Sequence, residues 1–206
     1  MRTGALLARL QSDLATVAEG ARQSMVQVRS GRDGAGTGTI VASDGQIVTN
    51  AHVARHGRLE VGLQDGRRLV ASLEGIAPGL DLALLRVGVL GLPAIHLGSS
   101  SEVRPGELVL SLGHPWGVEG GATLGVVIGV GADIPENPQP WRELVAVSLH
   151  LRPGHSGGPL VDTHGRLVGI NTMMAGPEVG LAVPVDAVHR FLRAHRSRDR
   201  ARQAAA

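Results

Sequence analysis

The feature that most constrains this chain is its punctuation. Short apolar runs, many alternating and rich in Val, Ile and Leu, recur along most of the sequence and are broken by Gly, Asp-Gly or Pro-Gly. One series reads SMVQVRS, GTIVAS, QIVTNAHV, RLEVGLQ, RRLVASLEGI and DLALLRVG; a second reads ELVLSLG, GATLGVVIGV, ELVAVSLHL, GPLVD, RLVGINTM and VGLAVPV. Runs of this length predict strands joined by tight turns, and the 30 glycines supply the turns. The segment GLPAIHLGSSSEVRPGE, rich in Gly, Ser and Pro, separates the two series. Six strands on each side predict an all-β fold of two six-stranded antiparallel β-barrels, with a site in the cleft between them.

Helical spacing marks only the two ends. Leu6, Leu7, Leu10, Leu14 and Val17 predict one amphipathic helix over 5–18. PVDAVHRFLRAHR, with Asp186 near a proline and Val188, Phe191 and Leu192 behind it, predicts a closing helix. The expected units are therefore an N-terminal helical segment, 1–22, a first barrel, 23–97, a second, 98–184, and a C-terminal helix with a basic tail, 185–206.

Composition excludes several function classes. The sequence pI of about 10.7 suggests a nucleic-acid binder, but the formal charge is only +2. With no Lys, Tyr or Cys, almost nothing titrates between neutrality and the arginine range, so a small excess of Arg inflates the pI and no nucleic-acid partner is expected. Six arginines cluster in residues 190–202, and the expectation there is a solvated, frayed helix end rather than an RNA, membrane or acidic-partner site. Without cysteine there are no disulfides and no thiolate chemistry. No apolar run approaches the roughly 20 residues needed to span a bilayer, so no transmembrane segment is expected. The N-terminus lacks a signal-peptide core, which points to the cytoplasm, or to the periplasm or outside if the N-terminus is truncated.

The chemistry centres on RPGHSGGPLV, residues 152–161, where Ser156 lies between a histidine and two glycines. Such a serine is either a turn residue or a nucleophile on a tight bend. A nucleophile needs a histidine base, and the histidine needs a carboxylate to orient it. His52 in IVTNAHVA ends an apolar strand; Asp81 in PGLDLALLRV is the only acid in a stretch that reads as buried, and a buried carboxylate demands a partner. The order His, Asp, Ser is that of the chymotrypsin barrels.

TNAHV, DLALLRV and GHSGGPLV resemble the three catalytic blocks of trypsin-like serine proteases, specifically the HtrA/Deg family. GAGTGTIVASDGQIVTNAHV, SLGHPWGVEGGATLGVVIG, DTHGRLVGINTM and VGLAVPVDAV agree with it, and the similarity runs over most of residues 24–193. The resemblance implies Ser156 as acylated nucleophile, His52 as general base and acid, Asp81 as orienting carboxylate, and the backbone N–H groups of Gly154 and Ser156 as oxyanion hole, with Gly157 and Gly158 clearing the floor. It implies a substrate-binding edge at GINTMM, Met173 included, that pairs with an extended peptide, Thr172 facing Asp81, and a P1 pocket walled by Leu151 and Met174. His150 stands where trypsin carries its specificity acid. The expected pocket is apolar and suits small or medium aliphatic residues, unless His150 points inward and favours a polar or acidic one.

The expected activity is cleavage of unfolded or extended polypeptides through an acyl-enzyme, in protein quality control, by a protease domain without a PDZ domain, a cofactor or a metal. It would act as a monomer or homotrimer. His155 replaces the family's usual asparagine, which suggests conditional activity and an alternative, a latent or non-catalytic peptide-binding module using the same cleft. His56, His96, His114, His164 and His189 lack metal-ligand spacing and read as surface or structural. ADIPENPQPWREL reads either as a surface loop anchored by Trp141 or, by resemblance, as a sensor of activating peptides.

Overall fold

The computed structural model describes residues 2–31, 34–55, 57–134, 137 and 141–204. His56 and residues 135, 136 and 138–140 of the ADIPENPQPWREL loop lie outside them. Helix α1, Arg2–Gln23, is followed by twelve strands: β1 Met25–Ser30, β2 Gly34–Ala42, β3 Gln46–Thr49, β4 Leu59–Gly62, β5 Arg68–Ala77, β6 Leu82–Arg86, β7 Leu108–Gly113, β8 Gly121–Gly131, β9 Leu144–Val147, β10 Pro159–Asp162, β11 Leu167–Met174 and β12 Gly180–Pro184. Helix α2, Val185–Ala204, ends the chain. The strands close into two antiparallel barrels, ordered β1-β2-β3-β6-β5-β4 and β10-β11-β12-β9-β8-β7.

Period-two alternation explains why several strands are apolar on both faces. In β6, Ala83 and Leu85 point into the first barrel with Val26, Val28 and Ile40, while Leu82 and Leu84 join a second core between the barrels. In β10, Leu160 fills the second barrel and Val161 enters that same shared core. The shared core also takes Leu110, Leu112 and Ile170 from the second barrel and Val188 and Leu192 from α2. The two barrels are thus welded along an apolar seam.

The helices run longer than their apolar spacing suggested. Leu14, Val17, Ala18 and Ala21 of α1 pack on the shared core, whereas Leu6, Leu7 and Leu10 stay exposed. Where fraying was expected, α2 continues to Ala204. His195 of α2 is buried, its Nε2 2.9 Å from Asp199 one turn on and 3.5 Å from Glu74 of β5, with a hydrogen bond to neither. Among the described residues, no helix is long and apolar enough to cross a membrane.

Candidate active site

The first barrel supplies His52 and Asp81. β3 stops at Thr49, and Asn50 turns the chain by accepting the N–H groups of Val53 and Ala54 at 3.1 and 3.3 Å. The turn lifts His52 off the sheet at the cleft edge, where its side chain remains 34% exposed. Asp81 follows a one-turn 3-10 helix, Pro78–Leu80, and adopts φ 52 and ψ 43. That left-handed conformation costs a non-glycine residue about 1–3 kcal/mol and persists only where surrounding bonds enforce it. Here they do. The carboxylate accepts the backbone N–H of His52 at 3.0 Å and lies 2.9 and 3.0 Å from its Nδ1.

The second barrel supplies the third bond. The β11–β12 register shifts between Asn171 and Met173, leaving Thr172 on a bulge. A bulge re-aims its side chain, and Thr172 Oγ1 donates to Asp81 Oδ2 at 2.7 Å. Burial pushes the Asp81 carboxyl pKa up, but the hydrogen bonds from His52 and Thr172 outweigh burial and leave it below the usual carboxylate value. Asp81 is therefore an anion at neutral pH, and its bond to Nδ1 leaves Nε2 of His52 for another partner.

Ser156 lies on the loop between β9 and β10. Residues Arg152–His155 form a turn closed by His155 N–H to the Arg152 carbonyl at 2.9 Å, with Pro153 second and Gly154 third at φ 103. This is the type II pattern, which requires a positive φ at the third position. A Cβ on Gly154 would also collide with the His114 carbonyl oxygen, so no other residue fits. Nearly every N–H from Leu151 to Gly158 is engaged: Leu151 with Met174 Sδ, Arg152 with His155 Nδ1, His155 with Arg152, Gly157 with Asn171 and Gly158 with His155. Only the N–H groups of Gly154 and Ser156 have no acceptor among the described residues. Ser156 Oγ donates to the Thr172 carbonyl at 3.1 Å, and no hydrogen bond joins it to the His52 ring.

Residues that carried no signal in the sequence hold this loop. Thr37 of β2 is fully buried; its Oγ1 donates to the Gly154 carbonyl at 2.6 Å and accepts the His114 N–H at 3.1 Å. Because that single hydroxyl proton goes to Gly154, the 3.0 Å contact between His114 Nδ1 and Thr37 Oγ1 requires the proton to sit on Nδ1. Trp116 adds its N–H to the Pro153 carbonyl at 3.0 Å and its ring beneath the Arg152 guanidinium, 4.7 Å from the centroid. His114 is thus a buried strut of the loop. His155 is buried too, with Nδ1 facing the Arg152 N–H at 3.1 Å and Nε2 without a partner. Burial pushes both histidines below the ordinary imidazole value, so each is neutral at neutral pH.

The other expected residues divide. Leu151 and Met174 meet through the sulfur contact of 3.0 Å and pack together with Leu149. Met173 packs with Leu144, Ala146 and Leu181 in a separate cluster. His150 is exposed, its Nδ1 2.8 Å from the Pro177 carbonyl. His96 is exposed, His164 is exposed beside Asp162, and His189 bonds the Gly98 carbonyl at 3.2 Å. Among the described residues no three His, Asp or Glu side chains gather closely enough to hold a metal ion.

The model of the trypsin-like peptidase domain matches residues 36–170. The chain belongs to the trypsin-like peptidase family. Within that family it is 40% identical over 158 residues to the "Probable periplasmic serine endoprotease DegP-like" of Hahella chejuensis, covering 73% of this chain and 33% of that one. It is 36% identical over 162 residues to "Serine protease HTRA2, mitochondrial" of Drosophila persimilis, covering 76% of this chain and 38% of the other. This peptidase domain thus spans about a third of the length of the curated relatives it matches. Among solved structures, the HtrA-type protease AlgW with a tripeptide aligns at a TM-score of 0.80 and 29% identity, over 87% of this chain and 62% of that one.

Proposed function

We propose that this peptidase domain is a serine endopeptidase. The observation that carries the reading is the convergence of an anionic Asp81 bonded to His52 Nδ1, a serine on the facing loop, and two unoccupied N–H groups beside that serine. In the reaction Ser156 Oγ leaves the Thr172 carbonyl for His52 Nε2, which takes its proton as Oγ bonds the scissile carbonyl carbon. The resulting oxyanion receives the Gly154 and Ser156 N–H groups, whose fixed placement needs no reorganisation. The imidazolium, held by Asp81, passes its proton to the departing amine. Water then attacks the acyl-enzyme by the same route in reverse.

The substrate is an extended polypeptide. β10 pairs with β11 only from Leu167 to Ile170, so on that side Thr172–Met174 carry no ladder partner and offer an edge to an added strand. Leu151 and Met174 make the adjoining pocket apolar, and with His150 turned outward we assign it to small or medium aliphatic P1 residues. A solved HtrA-type protease with a tripeptide supports a peptide substrate, and we extend that reading to unfolded proteins as the physiological substrates. A fluorophosphonate probe with adduct mapping tests the reaction: labelling at Ser156, abolished by Ser156→Ala, is expected, and no adduct in native protein even with added peptides rejects it. Profiling on denatured protein tests the pocket, where dominant cuts after Lys or Arg would contradict it.

A second reading, a latent peptide-binding module, has its own observation in the Ser156 hydroxyl, which is bonded to Thr172 rather than to His52. Peptide binding without any Ser156 adduct would select it.

A further inference from the structure

Two strand edges approach Ser156, and the proposed reaction uses only the one in β11. The other is in β2. β1 covers one side of β2 from Gly34 to Thr39, but on the opposite side β3 begins pairing only at Thr39. The serine loop sits in that gap: the Thr37 N–H donates to the Ser156 carbonyl at 2.8 Å, and a Cβ on Gly36 would lie 3.1 Å from the same oxygen. Beyond Gly36 the edge is open. By strand alternation the backbone of Ala35 faces the same way as that of Thr37, and it has no partner there among the described residues. With the acyl half of a peptide held on β11, the half that departs leaves along this edge.

The edge opens on a cavity of about 630 Å³, walled by Gly34, Ala35, Arg29, Arg58 and Glu60 of the first barrel and Trp116 of the second. Its charges do not cancel. Glu60 stands across from Arg29 in the β1–β4 ladder, yet its carboxylate lies 3.5 Å from Arg58 Nε. Arg29 is exposed and has no acidic partner among the described residues. Arg32 and Asp33, which precede Gly34 in the sequence and lie outside the described residues, are of opposite sign. Arg152, stacked on the Trp116 ring, adds a further positive charge from the serine loop.

Trp116 is held there against its backbone preference. It is 70% exposed, and with Asp81 it is one of two non-glycine residues at positive φ among the described residues. A left-handed φ of 52 is rare for a bulky side chain. Its N–H bond to the Pro153 carbonyl and the Arg152 stack fix it. An exposed indole and an unpaired guanidinium on one cavity suit an acidic side chain, with methylenes against the ring and the carboxylate on the cation.

We propose that Arg29, together with Trp116, makes the cleft select Glu or Asp at the second or third position on the leaving side of the scissile bond. Thr37 to Ala35 is about 7 Å of strand, the length of two residues of an extended peptide. The proposal rests on the reading of the chain as an endopeptidase for extended polypeptides, and adds to its apolar P1 pocket a second determinant on the opposite side of Ser156.

The test compares matched peptides with Glu or Lys at those two positions. The parent should favour Glu over Lys about tenfold in kcat/KM at low salt, and the difference should shrink toward about 0.5 M salt. Arg29→Gln should bring the ratio down to about twofold or threefold, and Arg29→Glu should invert it, so that Lys peptides are cut faster. A ratio cancels any general loss of activity in the variants. Calorimetric binding of the same peptides to the Ser156→Ala protein should give the same order without turnover, so a chain that never labels at Ser156 rejects the peptidase reading while this comparison still stands. A parent ratio within about twofold, or one that Arg29→Glu leaves unchanged, overturns the proposal.

Discussion

The two halves of the site are built on opposite plans. Around Asp81 the bonds are complete: both carboxylate oxygens are occupied, the carbonyl on either side of its Cα accepts a side-chain donor, and a strained φ is the result. Around Ser156 the design leaves groups open, with two N–H donors unclaimed and a hydroxyl parked on a neighbouring carbonyl. The difference teaches which half the fold pays for in advance. The His52–Asp81 half is finished by folding, whereas the Ser156 half keeps donors open, on a loop held by Thr37, His114 and Trp116.

The largest effect should come from the finished half. Asp81→Asn keeps the shape but can present an N–H where Nδ1–H now finds an acceptor, and kcat should fall about 10⁴-fold in steady-state assays with Tm changing little. A loss under tenfold would mean the carboxylate is structural. Next comes the strap on the open half. Thr37→Val removes the donor to the Gly154 carbonyl and the acceptor of the His114 N–H, leaving buried groups unpaired. Its kcat should drop about 10- to 100-fold with KM near the parent's, and unchanged kcat would show that the loop holds itself.

The smallest effect concerns stability. His114 and His155 are held below the ordinary imidazole value by burial, so the unfolded chain takes up protons that the folded one refuses. Their burial therefore costs stability as pH falls below about 6.5, and the loss stops growing once the folded groups themselves protonate. His155→Asn should flatten the fall of Tm between pH 7.5 and 5.5 by a few degrees, read by scanning calorimetry. An identical slope in both proteins would place the protonation elsewhere.

Much of the fold was legible because strand period and glycine spacing are local signals. The misjudged ends are instructive. β3 and β9 were expected to run on to Val53 and Leu151, since the residues after them are apolar; they are apolar because they enter the barrel cores from turns, without any ladder. His52, Asp81 and Ser156 could be found because each lies in a distinctive local block. Thr37 and His114 could not. Thr37 meets Gly154 across 117 positions and His114 across 77, and such contacts leave no mark on neighbouring residues. A threonine between two glycines reads as a turn until the fold puts a carbonyl beside it.

The chain has two tryptophans and no tyrosine. Both indoles are largely exposed, Trp116 stacked under the arginine of the serine loop and Trp141 next to Arg142, whose guanidinium donates to the Leu80 carbonyl just before Asp81. Near-ultraviolet emission therefore says almost nothing about the aliphatic cores and a great deal about these two loops. Replacing either ring by phenylalanine leaves a protein with a single built-in optical reporter, one for each half of the cleft, through which loop closure could be timed in stopped flow without attaching a dye.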